Sequence, residues 1–214
     1  MAEISPVVQG LLNIHKIISR GLNVSIRKCD GYLGSNGIPS GESEGFTKYI
    51  KTLRWVTHAH HLSEDELVFP FFKDRIEAPF DNLLEDHKNM SVILDRIDSL
   101  LPDLSSGNFN RLREVLGELD DLWGDHIRIE EEHFKPLEVN SSVSLTEQAA
   151  LVAKLGEHGV RNSGPGPLAV PFMIYNLEPE DRRIFLSHFP WIVRKILIPF
   201  VWRKEWKPMI PFLL

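Results

Sequence analysis

The feature that most constrains this chain is a His-x-x-x-Glu motif that occurs twice, each time with a proline six residues after the glutamate. The two copies are formed by His60, Glu64 and Pro70, and by His126, Glu130 and Pro136. Residues four apart in a helix lie on the same face, about one turn apart, so an imidazole and a carboxylate can hold one metal ion together. Two such helices facing each other across a bundle core predict a site for two metal ions.

The hydrophobic pattern predicts the scaffold for that site. Apolar residues at three- and four-residue spacing predict helices over roughly residues 6–28, 44–73, 80–101 and 109–134, with a Gly- and Ser-rich loop over 29–45. No segment alternates like a strand. The predicted fold class is therefore all-α: an antiparallel four-helix bundle over residues 1–138, with a C-terminal extension of short helices over residues 139–214 that packs on it.

Composition and charge exclude several classes of protein. One cysteine, Cys29, excludes an internal disulfide framework and a cysteine-cluster metal site. The net charge is −6, but residues 182–214 carry seven basic residues against one acid, which leaves −12 on residues 1–181. An acidic body is unsuited to nucleic acid. The chain starts without the basic and apolar pattern of a signal peptide, so we expect a cytoplasmic protein.

Two further histidines lie within apolar stripes of the other two predicted helices. His15 is spaced with Leu11 and Ile18, and His87 with Leu84 and Met90. A single histidine on an apolar face is usually a packing residue. Four helices that each supply an inward nitrogen, with two carboxylates at matched spacing, instead favour a metal site, because buried polar groups are costly unless they are paired or metal-bound.

Residues 8–136 resemble the hemerythrin-like (HHE cation-binding) four-helix bundle, whose hallmark is His, then His-x-x-x-Glu, then His, then His-x-x-x-Glu. The resemblance implies two iron ions (Fe2+/Fe3+), which an oxo or hydroxo group can bridge, and O2 as a partner. Carried over position by position, it implies six metal ligands: His15, His60, Glu64, His87, His126 and Glu130. Glu64 and Glu130 would be the bridging carboxylates.

One position departs from the pattern of the oxygen-carrying members. They have a fifth histidine one turn after the third-helix ligand, where this chain has Ser91. A serine is a poor iron ligand, so we expect one iron to be open to water, O2 or a substrate oxygen. This favours a non-haem di-iron enzyme that activates O2 to oxidise a small organic substrate. The alternative is an iron- or O2-binding sensor or storage module without turnover.

Some ligand assignments remain open from the sequence. His61 and Asp65 form a competing pair in the neighbouring register, although the matched proline spacing favours His60 and Glu64. His133, one turn beyond Glu130, is an alternative source of the missing fifth nitrogen. We expect four acids beside the motifs to be solvated: Asp65, Glu66, Glu131 and Glu132.

Residues 182–214 combine basic residues with many aromatic ones, too much apolar surface to leave exposed. Three interpretations are open: the segment packs across the bundle and completes its core, it forms a lid or wall for a substrate pocket, or it contacts a membrane surface or a partner protein. Tryptophan mixed with basic residues suits an anionic surface.

Overall fold

The computed structural model describes residues 5–35, 37–39, 41–104 and 106–214, and this part of the chain contains helices and no strand. The helices are α1 (Pro6–Gly34), α2 (Ser43–Ser63), α3 (Phe69–Phe72), α4 (Phe80–Leu100), α5 (Ser106–His133), α6 (Pro136–Ser142), α7 (Leu145–Asn162), α8 (Gly166–Tyr175), α9 (Pro179–Ser187) and α10 (Arg203–Trp206). A π-helical turn, Glu64–Val68, joins α2 to α3. A π-helical segment, Val193–Val201, precedes α10, and a 3-10 helix, Lys207–Phe212, follows it. The predicted all-α fold class is confirmed.

The four long helices form a closed ring around one core, because α1 and α4 each pack against both α2 and α5. Four histidines at one level fix the helix directions. His15 and His87 lie in the first halves of α1 and α4, whereas His60 and His126 lie in the second halves of α2 and α5. Neighbouring helices that meet at opposite ends run antiparallel, as predicted.

Helix α1 continues six residues beyond the predicted end, to Gly34, so the predicted loop over 29–45 is shorter than expected. Cys29 and Tyr32 are buried in these added turns, and the Tyr32 ring packs edge-on against Phe46 and Phe109. Burial of apolar surface therefore outweighs the local preference of the glycines for a turn. Residues 36 and 40 of the predicted loop lie outside the described part of the chain.

The C-terminal segments share the core of the bundle. Phe172, Met209 and Phe212 are fully buried in the same apolar cluster as Ile18 and Leu22. The 3-10 helix lies so close to the start of α2 that a Cβ atom at Gly45 would overlap the carbonyl of Pro208. This contact is fifteen residues before His60, or roughly 20 Å along a helix axis, so these residues pack at one end of the bundle rather than over the metal-ligand candidates.

A capping box starts helix α7 in the C-terminal extension. The Ser144 hydroxyl accepts the backbone N–H of Glu147, and the Glu147 carboxylate accepts the backbone N–H of Ser144. No helix in the described residues combines the length and apolar character that crossing a bilayer requires.

Candidate metal centre

Seven buried side chains converge inside the bundle as two groups of donors. The first group contains His15, His60, Glu64 and Glu130, and the second contains His61, His87 and His126. The donor atoms within each group lie within 4.8 Å of one another. Ligands at 2.0–2.2 Å from a common ion are separated by at most roughly 4.4 Å, so small adjustments suffice to close each group around one ion. All six ligands implied by the resemblance are among the seven.

The two carboxylates lie between the groups. Glu64 Oε2 is 3.4 Å from His60 Nε2 in its own group and 3.5 Å from His87 Nε2 in the other. Glu130 Oε2 is 3.1 Å from His15 Nε2 in its own group and 3.7 Å from His126 Nε2 in the other. Each carboxylate thus reaches a nitrogen of both groups, which is the arrangement that a bridging ligand needs.

His61 is one of the seven donors, although the sequence predicted it only as an alternative to His60. Adjacent helical residues diverge by about 100°, and α2 lies between α1 and α4. His60 therefore faces His15 on α1, with ring centroids 5.3 Å apart, while His61 stacks on His87 of α4 at 4.3 Å. His60 and His61 are therefore not alternative ligands, because each lies in a different donor group.

The widened turn after α2 begins at Glu64 itself. The backbone N–H of Phe69 donates to the carbonyl of Glu64, five residues earlier, as in a π helix. The next residue, Pro70, has no N–H to donate and its ring disfavours a regular α-helical turn. π turns inside α-helices occur frequently at functional sites. Here the widened turn carries both a candidate ligand and Asp65.

Asp65 and Glu131 are not simply solvated, which corrects the expectation from the sequence. His87 Nδ1 lies 2.6 Å from Asp65 Oδ1, and His15 Nδ1 lies 2.8 Å from Glu131 Oε1. A carboxylate that accepts the Nδ1 proton leaves Nε2 unprotonated and facing a metal. Each acid directly follows the glutamate of a motif, so the repeated Glu-acid pair was the sequence signal for these two contacts.

Glu66, also expected to be solvated, contacts His158 at 3.1 Å.

Burial and mutual contacts shift the pKa values of several donors. Burial lowers the pKa of His60 and His61 well below its ordinary value, so both imidazoles are neutral. Burial, together with the neighbouring Glu130, raises the pKa of Glu64 well above its ordinary value. Neutral imidazoles are the form that binds metals.

Glu130 and His15 form the charged pair of the centre. Burial alone would raise the pKa of Glu130, but the close contact with His15 Nε2 and the nearby imidazoles lower it to about 2. Burial alone would lower the pKa of His15, but its contacts with the carboxylates of Glu130 and Glu131 outweigh burial and raise it. Without a metal ion, these shifts favour an imidazolium at His15 beside a carboxylate at Glu130.

Several of these buried atoms lack a well-aligned hydrogen bond to any described residue. They are the Nε2 atoms of His15, His60 and His61, the Nδ1 atom of His126, and both carboxylate oxygens of Glu64 and Glu130. Leaving so many polar atoms unsatisfied in a dry core is costly. Cations that accept mixed imidazole and carboxylate ligands, such as iron, manganese or zinc, would satisfy them, so the donors fit a metal centre.

Three other residues near the motifs, His133, Ser91 and Trp123, lie outside the donor groups. His133 donates its Nδ1 proton to the carbonyl of Ile129 at 2.8 Å. Ser91 is not among the seven donors either. Trp123 is fully buried beside them, with ring contacts to His15 at 5.4 Å and His60 at 5.7 Å, and it donates to Ser19. Trp123 is therefore an apolar wall of the centre.

The comparisons with known proteins agree with this geometry. Neither the curated proteins nor the solved structures compared with the chain include a significant match. The family model described as Hemerythrin HHE cation binding domain matches residues 7–137. That range contains every donor of both groups and, apart from Pro6 at the start of α1, all four helices of the ring, and it covers more than half of the chain. The chain therefore belongs to the hemerythrin HHE cation-binding domain family.

Proposed function

We propose that the protein is a non-haem di-iron protein that takes up O2 inside the helical bundle. In this proposal His15 and His60 bind one ion, and Glu64 and Glu130 bridge to a second. His61, His87 and His126 bind that second ion. The observation that carries the proposal is the set of buried, unsatisfied imidazole and carboxylate atoms at the centre of four helices, because such atoms are stable in a dry core when they bind cations.

The surrounding residues have separate roles in this proposal. Asp65 and Glu131 orient the imidazoles of His87 and His15 through their Nδ1 atoms. Trp123 and Phe69 exclude water, since Trp123 lies against His15 and His60 and Phe69 stacks on His87 at 5.5 Å. Iron ions held by such mixed nitrogen and oxygen ligands supply binding and reduction of O2.

The position of His61 changes the balance between the two functions expected from the sequence. Oxidation of an organic substrate was inferred from Ser91, which leaves the third helix one nitrogen short. In the present ligand assignment His61 supplies a fifth nitrogen from α2, so that argument no longer separates an oxidase from an O2-binding module. The donors are also at most 7% exposed, which favours a reactant as small as O2 over an organic molecule.

Metal analysis and absorption spectroscopy test the proposal. Protein purified in air is expected to contain about two iron ions per chain and to absorb in the visible region. After anaerobic reduction, added O2 should restore an absorbing form, and removal of O2 should reverse it. Steady O2 consumption with an added organic reductant would instead assign the site to an oxidase.

Two single substitutions test the ligand assignment. His61→Ala is expected to lower the iron content towards one ion per chain, because it removes one of three nitrogens from its group. His133→Ala is the matched control, since it removes a histidine one turn beyond Glu130 that lies outside both groups. Full iron content in the His61 variant, or equal loss in both variants, would contradict the assignment.

A further inference from the structure

The C-terminal π-helical segment and its flanks expose apolar and basic side chains on one side. Trp191 is 62% exposed, Ile192 51%, Phe200 74% and Val201 53%. Lys195 and Ile196 between these pairs, and Lys204 after them, are also exposed. The exposed positions recur at four- to five-residue steps, close to the period of a π helix. We name these seven residues the C-terminal face.

The opposite side of this segment is fixed to the protein. Ile198 is buried in the main core, and its carbonyl accepts the Nε1 proton of Trp206 at 3.0 Å. Val193 and Trp202 also pack against that core. The segment is therefore held in place with an apolar side already buried, so the exposed apolar residues of the C-terminal face are not needed to complete the fold.

The charge around the C-terminal face is strongly positive. Residues 182–214 carry seven basic residues and one acid, whereas residues 1–181 carry a net charge of −12. Exposed Arg203 and Lys207 lie next to the face in the chain. Asp181, directly before this region, is paired with Lys16 of α1 at 2.7 Å. An anionic surface is thus attracted to this side of the molecule and repelled by the rest.

We propose that the C-terminal face binds the surface of an anionic lipid bilayer. Trp191, Ile192 and Phe200 would enter the headgroup region, and Lys195 and Lys204 would contact acidic headgroups. Exposed aromatic and aliphatic side chains interleaved with lysine are the composition of interfacial membrane segments. The segment would lie on the membrane and not span it, which agrees with its short length.

A second copy of the chain fits this face less well. Two-fold pairing through the face would place Lys195 and Lys204 of both copies in one interface, and the face contains no acid to pair with them. The exposed apolar residues of α7, namely Leu145, Val152 and Val160, are spaced about two turns apart, so they offer only a sparse counter-surface. The observations therefore favour lipid over self-association.

Vesicle sedimentation with the full-length, metal-loaded protein tests the proposal. The protein is expected to bind phosphatidylcholine vesicles that contain phosphatidylserine, to bind pure phosphatidylcholine much less, and to dissociate as salt is raised. Lys195→Glu with Lys204→Glu should weaken binding about tenfold or more, since each basic residue contributes substantially at an anionic surface. Trp191→Ser with Phe200→Ser should weaken it by a similar factor.

The matched controls are Lys154→Glu and Val160→Ser on α7, which change an exposed lysine and an 84% exposed valine away from the face. They are expected to bind like the wild type. Trp191→Phe should keep binding but lose part of the fluorescence quenching by brominated lipids, because the reporter is removed and the apolar group stays.

Three results would overturn the proposal. They are the absence of binding to phosphatidylserine vesicles, equal loss in face and control variants, and a concentration-dependent dimer that the Trp191→Ser, Phe200→Ser variant abolishes. The last result would assign the face to a second copy of the chain. Since the iron content is measured separately, failure here leaves the di-iron proposal unaffected.

Discussion

Helices α2 and α5 carry the same motif but use it differently. In each case the glutamate of the motif is followed by a second acid, and that acid contacts a histidine on a neighbouring helix. In α5 the helix continues regularly to His133, whereas in α2 the glutamate starts a π-helical turn. Helix α2 also supplies two adjacent histidines, one for each donor group.

The two glutamates also differ in the direction of their pKa shifts in the metal-free protein. Glu130 on α5 is paired with His15 and its pKa is lowered to about 2, whereas burial raises the pKa of Glu64 on α2. The same motif therefore provides one carboxyl group that favours its charged form and one whose neutral form is favoured by burial. A pair of identical residues in a sequence does not imply identical chemistry, because the partners come from other helices.

The largest expected effect comes from removing one carboxylate at a time in the metal-free protein. Glu130→Gln removes the buried one of the two carboxylates that contact His15 and should lower the free energy of unfolding by about 3 kcal/mol. Glu64→Gln replaces a neutral carboxyl group with an amide of the same shape and should change it by less than about 1 kcal/mol. Urea unfolding after iron removal measures both. Equal losses would contradict the assigned charge difference.

The acids that follow the glutamates provide a second test. Asp65→Asn and Glu131→Gln should each weaken metal affinity by about 10- to 100-fold, because each removes a carboxylate that orients a ligating imidazole. The control is Glu132→Gln, an exposed neighbour that contacts Arg128 at 3.5 Å. Metal titration followed by absorption compares the three. A loss in only one of the two acid variants would show that the motifs are not equivalent in this respect.

The titration of the donors predicts weaker metal binding in acid. The pKa values of His15 and Glu64 are both raised, so both groups hold a proton more tightly in the metal-free protein than the free side chains do. Both must lose that proton to become ligands, so affinity falls as protons are added. We expect a loss of about tenfold or more between pH 7 and pH 5.5, measured with a redox-inactive divalent ion. Affinity that rises with acidification would contradict the assigned protonation.

The smallest expected effect concerns the two prolines at equal spacing from the glutamates. Pro70 follows the π-helical turn, so Pro70→Ala should allow a regular turn to form and lower metal affinity by less than about tenfold. Pro136 occupies the first turn of α6. Pro136→Ala should leave metal affinity unchanged and alter stability by no more than about 1 kcal/mol. Metal titration and thermal unfolding separate the two effects.

Much of the fold could be predicted from the sequence because it depends on periodicity. The four apolar stripes, the two motifs and the capping box at Ser144 are local patterns with direct structural consequences. The end of α1 could not be predicted, since Tyr32 is ordered by Phe46 and Phe109, which are distant in the chain. Helix propensity alone favours an earlier end.

The donor set was only partly predictable for a related reason. A motif predicts which residues share one face of a helix. It does not predict where the neighbouring helices pack, and therefore not which other faces of that helix are also buried. His61 and His60 point to different neighbours, and only the packing of α2 between α1 and α4 makes both of them inward. The roles of Asp65 and Glu131 likewise depend on histidines from other helices.

The partial exposure of those two acids has a consequence for how the centre exchanges with its surroundings. Asp65 is 35% exposed and Glu131 40% exposed, yet each touches the outer nitrogen of a buried imidazole. Each acid thus links bulk water to the interior through a single ring. Protons displaced during loading have a short way out along these two routes, so the charge of the interior can equilibrate while the four helices stay closed.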